Sequence, residues 1–180
     1  KKREMTGLIM AILGIISQGL PNNLQITNVT LLRDQYPLAT VRFDIRWENS
    51  WRHATTNDPL YFHDAVWVFF NIQRWDGQPL WAPLFLEGSG TNPPGYSAGS
   101  GTSVELVVPS DQMGLFIRRA EEGEGTTEVQ GVQVVVNLAS SGVFQTDRAR
   151  VQAFGVEMVY VAEGPFWAGD NGSGDNQFTL

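Results

Sequence analysis

Between Thr40 and Trp47 the chain alternates without a fault: Val41, Phe43, Ile45 and Trp47 are apolar, while Thr40, Arg42, Asp44 and Arg46 are polar. A two-residue period puts one set on each side of a pleated backbone, so the stretch predicts an antiparallel strand with one face in a core and the other in water. Upstream, Leu24, Ile26, Val29 and Leu31 alternate with Gln25, Thr27 and Thr30. The slip at Asn28 predicts a bulge inside one long strand. Asp34, Gln35, Tyr36 and Pro37 supply turn chemistry between the two runs, which are therefore expected to form a hairpin.

The same reading extends down the chain. Residues 51–59 read as a loop. The run Ala65, Val66, Trp67, Val68, Phe69, Phe70 and Ile72 is apolar on both parities, the pattern of a central strand covered on both faces. Trp47 and Trp67 are both expected in the core. Asp76-Gly77 signals a tight turn, and residues 80–86 return as a partner strand that Pro83 confines to an edge or a bulge. Residues 87–102, rich in Gly, Ser, Pro and Asn, read as a long exposed loop that buries little.

Two short strands follow at 104–108 and 114–119. Glu121, Glu122 and Glu124 then mark an acidic turn, read as a solvated tip rather than a calcium loop because no cation-binding spacing is present. Val132, Val134 and Val136 line one face of another strand, and residues 148–161 close the domain. About eight strands at short spacings, with no helical period after the first residues, predict an all-β fold, an antiparallel β-sandwich.

Composition narrows the function. A chain of 180 residues with 42% hydrophobic and 17% charged residues holds one domain with a core. Its net charge of −7 opposes nucleic-acid binding, which needs a basic surface to neutralise phosphates. The absence of Cys removes disulfides, thiolate metal sites and thiol nucleophiles together. His53 and His63 are the two histidines, too few for a histidine-rich metal site. No cofactor, no metal and no catalytic residue is expected.

Lys1, Lys2 and Arg3 precede an apolar stretch over residues 6–16, with Ser17 and Gly19 beyond it. A basic head, a short apolar run and small residues at a cleavage point match a secretory signal peptide, and the run is short for a bilayer span of roughly twenty residues. Residues 1–19 are therefore expected to be a signal peptide. An uncleaved apolar segment, touching a membrane or packing into a neighbouring subunit, is the alternative.

Glu157, Met158, Val159, Tyr160 and Val161, then Gly164, Pro165 and Phe166, then Gly169 and Asp170, resemble the opening of formylglycine-generating-enzyme-like (sulfatase-modifying-factor) domains. Ala162 stands where those domains have Pro, and Pro165 where Thr or Ser is common. Upstream, the run Trp47, Glu48, Asn49, Ser50, Trp51 and Arg52, and the run Asp64 to Phe69, resemble the accessory β-domain that precedes such modules in secreted bacterial proteins. The resemblance implies a sandwich domain over 20–155 and the start of a C-type-lectin-like module over 156–180. It implies a secreted or cell-surface accessory domain with a protein or cell-surface glycan partner. Family enzymes depend on cysteines that this chain lacks, so no catalytic residue carries over.

Two further readings stand beside this one. The chain is a self-assembling subunit of an extracellular fibre, homo-oligomeric through its apolar N-terminus, or it is a carbohydrate-binding module. For a ligand or partner surface the candidate residues are Trp51, Trp75, Trp81 and Tyr96, because aromatic rings outside the expected core can stack on a ligand.

Overall fold

The structure, a computed structural model, describes residues 22–55, 58–74 and 81–159. Ten strands account for most of it: β1 Gln25–Gln35, β2 Leu38–Thr55, β3 Asp58–Arg74, β4 Trp81–Leu84, β5 Gly90–Thr91, β6 Ser100–Gly101, β7 Val104–Val108, β8 Leu115–Arg119, β9 Gly123–Asn137 and β10 Ala149–Val159. The described residues contain no helix. β5 and β6 are two-residue rungs, and the other eight are the strands that periodicity predicts.

All pairings among the described residues are antiparallel, and they link the strands into one curled sheet that doubles over into two layers. The first layer runs β1-β2-β9-β6. In the second, β3 carries β10 along one edge and β8 and β4 along the other, with β7 and β5 beyond β8. The layers are joined because β2 and β3 are longer than either layer needs. Their ends pair with each other, Arg52 with His63 and Thr55 with Asp58, before each strand continues into its own layer. The loop expected over 51–59 is thus largely strand. Its Asn-Asp-Pro signal marks only the reversal, while the residues on either side keep pairing.

Between the layers lies the core that alternation predicts. Val41, Phe43, Ile45 and Trp47 of β2 are at most 1% exposed, as are Val66, Val68, Phe70 and Ile72 of β3. Phe43 meets Phe70 edge-on across the layers, with ring centres 5.6 Å apart. Val132, Val134 and Val136 of β9 and Leu106, Leu115 and Ile117 of β7 and β8 complete the filling. The bulge falls where expected: the β1–β2 register slips between Thr27 and Thr30, and Asn28 takes φ 54°. Its amide donates to Asp44 Oδ2 at 2.6 Å, which holds the bulge against β2.

Both lateral openings of the sandwich are closed. On one side Leu24, just before β1, and Ile26 of β1 rest on Gly155 of β10, where a Cβ would come within 2.9 and 3.0 Å of their side chains. On the other, residues 87–102 are mostly exposed, as composition predicts, but they do not hang free. They form a strap across the layers, because β5 pairs with β7 and β6 pairs with β9. Gly99 makes this approach possible: at φ +71° a Cβ there would lie 2.3 Å from the carbonyl oxygen of Gln130. Glycine supplies contact here rather than slack.

The expected domain boundary between Gly155 and Val156 runs through β10. Val156 to Val159 pair with Trp67 to Asp64, so they belong to the β-domain. Residues 1–19, the Asp76-Gly77 turn, Trp75, and most of 156–180 fall outside the described residues.

Candidate docking surface

β3 is apolar on both parities, and the structure uses the two sets differently. Its even-numbered residues fill the core, while Trp67 and Phe69 point to the opposite, outer side of the second layer, where both are partly exposed. Trp67 is therefore not the core residue that its apolar surroundings predict. In a run apolar on both faces, parity alone cannot say which set is sealed.

Register builds a patch around these two rings. Phe154 lies opposite Phe69, Val156 opposite Trp67 and Met158 opposite Ala65 on β10, while Phe116 lies opposite Trp67 on β8. Phe69 and Phe154 stack at 5.2 Å, and Trp67 tilts against Phe116 at 4.7 Å. Gly114 lets the indole sit directly on backbone, since a Cβ there would be 2.5 Å from Trp67 Cζ2. The rim of β10 stays open: Phe154, Val156 and Met158 are 39%, 48% and 46% exposed. A contiguous apolar face of this kind marks an interaction surface rather than scattered exposed side chains.

Charged groups frame the patch. At one end Arg118 donates to Glu105 Oε2 at 2.8 Å and lies 3.1 Å from His63 Nε2. At the other, the Arg150 guanidinium sits 5.1 Å from the centre of the Trp81 ring and donates to Gln73 Oε1 at 2.6 Å. Trp81 thus lies on the outer face at its far end, a position that its pairing with Gln73 fixes.

Behind the patch, at the join of the layers, Asp64 is 3% exposed. It accepts hydrogen bonds from Trp47 Nε1 at 2.7 Å, Ser50 Oγ at 3.1 Å and the Trp51 backbone N–H at 2.9 Å. Arg119 Nε in turn donates to Ser50 Oγ at 3.1 Å. Arg52, 7% exposed, donates to the Arg119 carbonyl and lies 3.3 Å from Glu105. The Trp-Glu-Asn-Ser-Trp-Arg run and Asp64 are thereby one structural unit. A buried carboxylate with three donors clamps β2 to β3.

The residues expected to bind a ligand are dispersed. Trp51 stacks on His53 at 5.7 Å, and Trp81 stands nine β3 positions away, about 30 Å along the strand. Trp75 lies outside the described residues. Tyr96 is an anchor of the strap: its hydroxyl reaches the carbonyl oxygens of Glu87 at 2.9 Å and Val135 at 3.1 Å. Burial pushes its phenol well above the ordinary range. Sequence reasoning missed Phe69, Phe116, Phe154, Val156 and Met158. The signal was present in the two-faced apolar run and in the even-numbered apolar residues near the end of β10.

Two surface carboxylates are shifted. Asp44 is held below its ordinary range by the Asn28 side-chain hydrogen bond and then by the Gly131 N–H, which donates to it at 2.7 Å. Glu48 is lowered by the Arg46 guanidinium at 2.8 Å and by Asn23. Asp44 shares a shallow cleft with Glu128, but its shift comes from Asn28 and Gly131 and that of Glu48 from Arg46 and Asn23, so these shifts describe surface pairing. Among the described residues no cluster of three or more His, Asp or Glu is placed to hold a metal ion, and no helix is long and apolar enough to cross a membrane. No family model, no curated protein and no solved structure matches this chain.

Proposed function

We propose that the chain is a non-catalytic accessory domain, exported to the bacterial cell surface or beyond, that docks a protein surface through the outer face of its second layer. The observation that carries this reading is the open aromatic side of β3, with Trp67 and Phe69 flanked by Phe116 and Phe154. Support also comes from the resemblance of its Trp-rich runs and of residues 157–170 to proteins with a formylglycine-generating-enzyme-like module. A protein is favoured over a glycan as partner, because the centre of the patch is Phe, Val and Met. Sugar hydroxyls need convergent polar groups around the stacking rings.

Intact mass and N-terminal sequence of the protein from its native source test the export and attachment parts. A mature start at Leu20 and a mass far above 19.9 kDa support them. Retention of residues 6–16 at about the mass of this chain would sink them in favour of a self-assembling subunit. The face is tested in the native protein by Phe154→Lys with Val156→Lys. Both sites are exposed, so the fold is retained. Unchanged association of the native protein would remove the docking role.

A further inference from the structure

The outer face is the most conspicuous feature that the fold leaves unused. We infer that its first occupant is the chain's own segment after Val159, with Phe166 and Trp167 seated against Phe154, Val156 and Met158. This inference rests on the docking role proposed for the face and names what fills it.

Three observations point to this segment. The rim of the patch is β10 itself, so the chain leaves the described domain at the edge of its own apolar face. The residues nearer the N-terminus enter from the other side: Leu24 and Ile26 rest on Gly155, which faces away from Phe154 and Val156. The apolar stretch at residues 6–16 is therefore the poorer candidate.

Reach is sufficient. Phe154 and Met158 are four strand positions apart, about 13 Å, while the residues between Val159 and Phe166 span about 20 Å when extended. A chain that turns back directly after Val159 has length enough to return Phe166 and Trp167 alongside Val156 and Phe154.

Charge agrees. The side chains of residues 160–180 that are charged at neutral pH are Glu163, Asp170 and Asp175, all acidic. At the end where β10 stops Arg118 is already paired with Glu105, while at the other end Arg150 bonds, among the described residues, only the neutral amide of Gln73 and lies over the Trp81 ring. An acidic aromatic segment is thus matched to an aromatic face with a basic group at its Arg150 end. Pairing is intramolecular, so even a weak contact is populated by the high local concentration.

Methionine oxidation reads this directly in the full chain. Met158 on the face and Met113 in the β7–β8 turn are 46% and 51% exposed, so without a cover dilute hydrogen peroxide oxidises them at similar rates. With the segment docked, Met158 reacts about tenfold more slowly than Met113, the ratio for a contact worth one decade in equilibrium constant. Phe166→Ser with Trp167→Ser abolishes that gap. Because the chain has no Cys, a second measurement is clean: Phe154→Cys with Trp167→Cys forms a disulfide within the monomer under mild oxidant.

Equal oxidation rates in the unsubstituted chain, or failure of the cysteine pair to close, overturn the inference and leave the face open for an external partner. Protection that survives Phe166→Ser/Trp167→Ser also overturns it. If that protection fades on dilution, a second copy is the occupant and the face remains an interface. Loss of the docking role itself is read separately, from the Phe154→Lys/Val156→Lys protein.

Discussion

Removing the Asp64 carboxylate tests whether one buried acceptor holds the two layers together. In Asp64→Ala three donors lose their partner at once. Trp47 is 1% exposed and Ser50 fully buried, so neither group can turn to water. A stranded buried donor costs about 1–3 kcal/mol, and the partly buried Trp51 N–H adds about 1 kcal/mol at most. These terms together span about 2–7 kcal/mol, and the expected loss is the middle of that span, about 3–5 kcal/mol, as for other broken buried pairs. With a urea slope of about 2 kcal/mol per molar, the unfolding midpoint falls by about 1.5–2.5 M. Asp64→Asn retains the shape and one acceptor oxygen but turns an NH2 toward a donor, so its midpoint falls by a smaller amount.

Trp47→Phe removes one donor while leaving the carboxylate two others. Combined with Asp64→Ala it gives a coupling of about 1–3 kcal/mol, because the orphaned indole N–H is no longer there to be penalised. The reasoning is refuted if Asp64→Ala unfolds within about 0.5 kcal/mol of the parent, as an ordinary surface substitution does. Strict additivity of the two changes would refute the claimed hydrogen bond between them.

Thr127 offers the reverse case. Its hydroxyl is buried without a hydrogen-bond partner among the described residues, so Thr127→Val raises stability by about 1 kcal/mol in urea unfolding. Phe43→Ala opens a cavity against Phe70 and costs about 3–5 kcal/mol in the same assay. Gly114→Ala forces Trp67 off its backbone seat, which near-ultraviolet circular dichroism detects as a changed indole signal alongside a loss of about 1–3 kcal/mol.

Asp44 has a folded pKa below its unfolded value. Its contribution is present above the unfolded value and is lost as pH falls through the folded one. Urea midpoints measured downward from about pH 4 therefore fall less steeply in Asp44→Asn than in the parent.

Where the chain obeys one period, the fold was legible: Val41 to Trp47 are buried on the predicted parity, and the bulge at Asn28 is where the alternation slips. Pro83 likewise lies on β4, paired to β3 and exposed. Legibility failed where long-range pairing decides. Gly99 looks like a flexible residue until the strap brings it onto the Gln130 carbonyl. Asp64 lies well away in sequence from Trp47, Ser50 and Trp51, and only the β2–β3 register makes them neighbours. The candidate surface was half legible. The two-faced run of β3 called for cover on both sides, but local sequence could not say which side the described domain would supply.

β3 therefore carries three roles in one strand, and their order along it explains why the open face is suited to docking. Asp64 fixes its beginning to β2, Val66 to Ile72 anchor its inner side in the core, and Gln73 is held near its end by Arg150. Trp67 and Phe69 project from a backbone restrained at both ends, with their rings already set by Phe116, Phe154 and Gly114. An occupant consequently meets a surface that loses little side-chain freedom on contact, which favours binding beyond what area alone provides. Loosening the clamp without touching the face should then weaken docking: in Ser50→Ala, which removes one Asp64 donor, Met158 oxidation moves toward the Met113 rate while urea unfolding shows the fold still formed. An unchanged Met158 rate in that variant would mean that the face is set by its own ring contacts and owes nothing to the clamp.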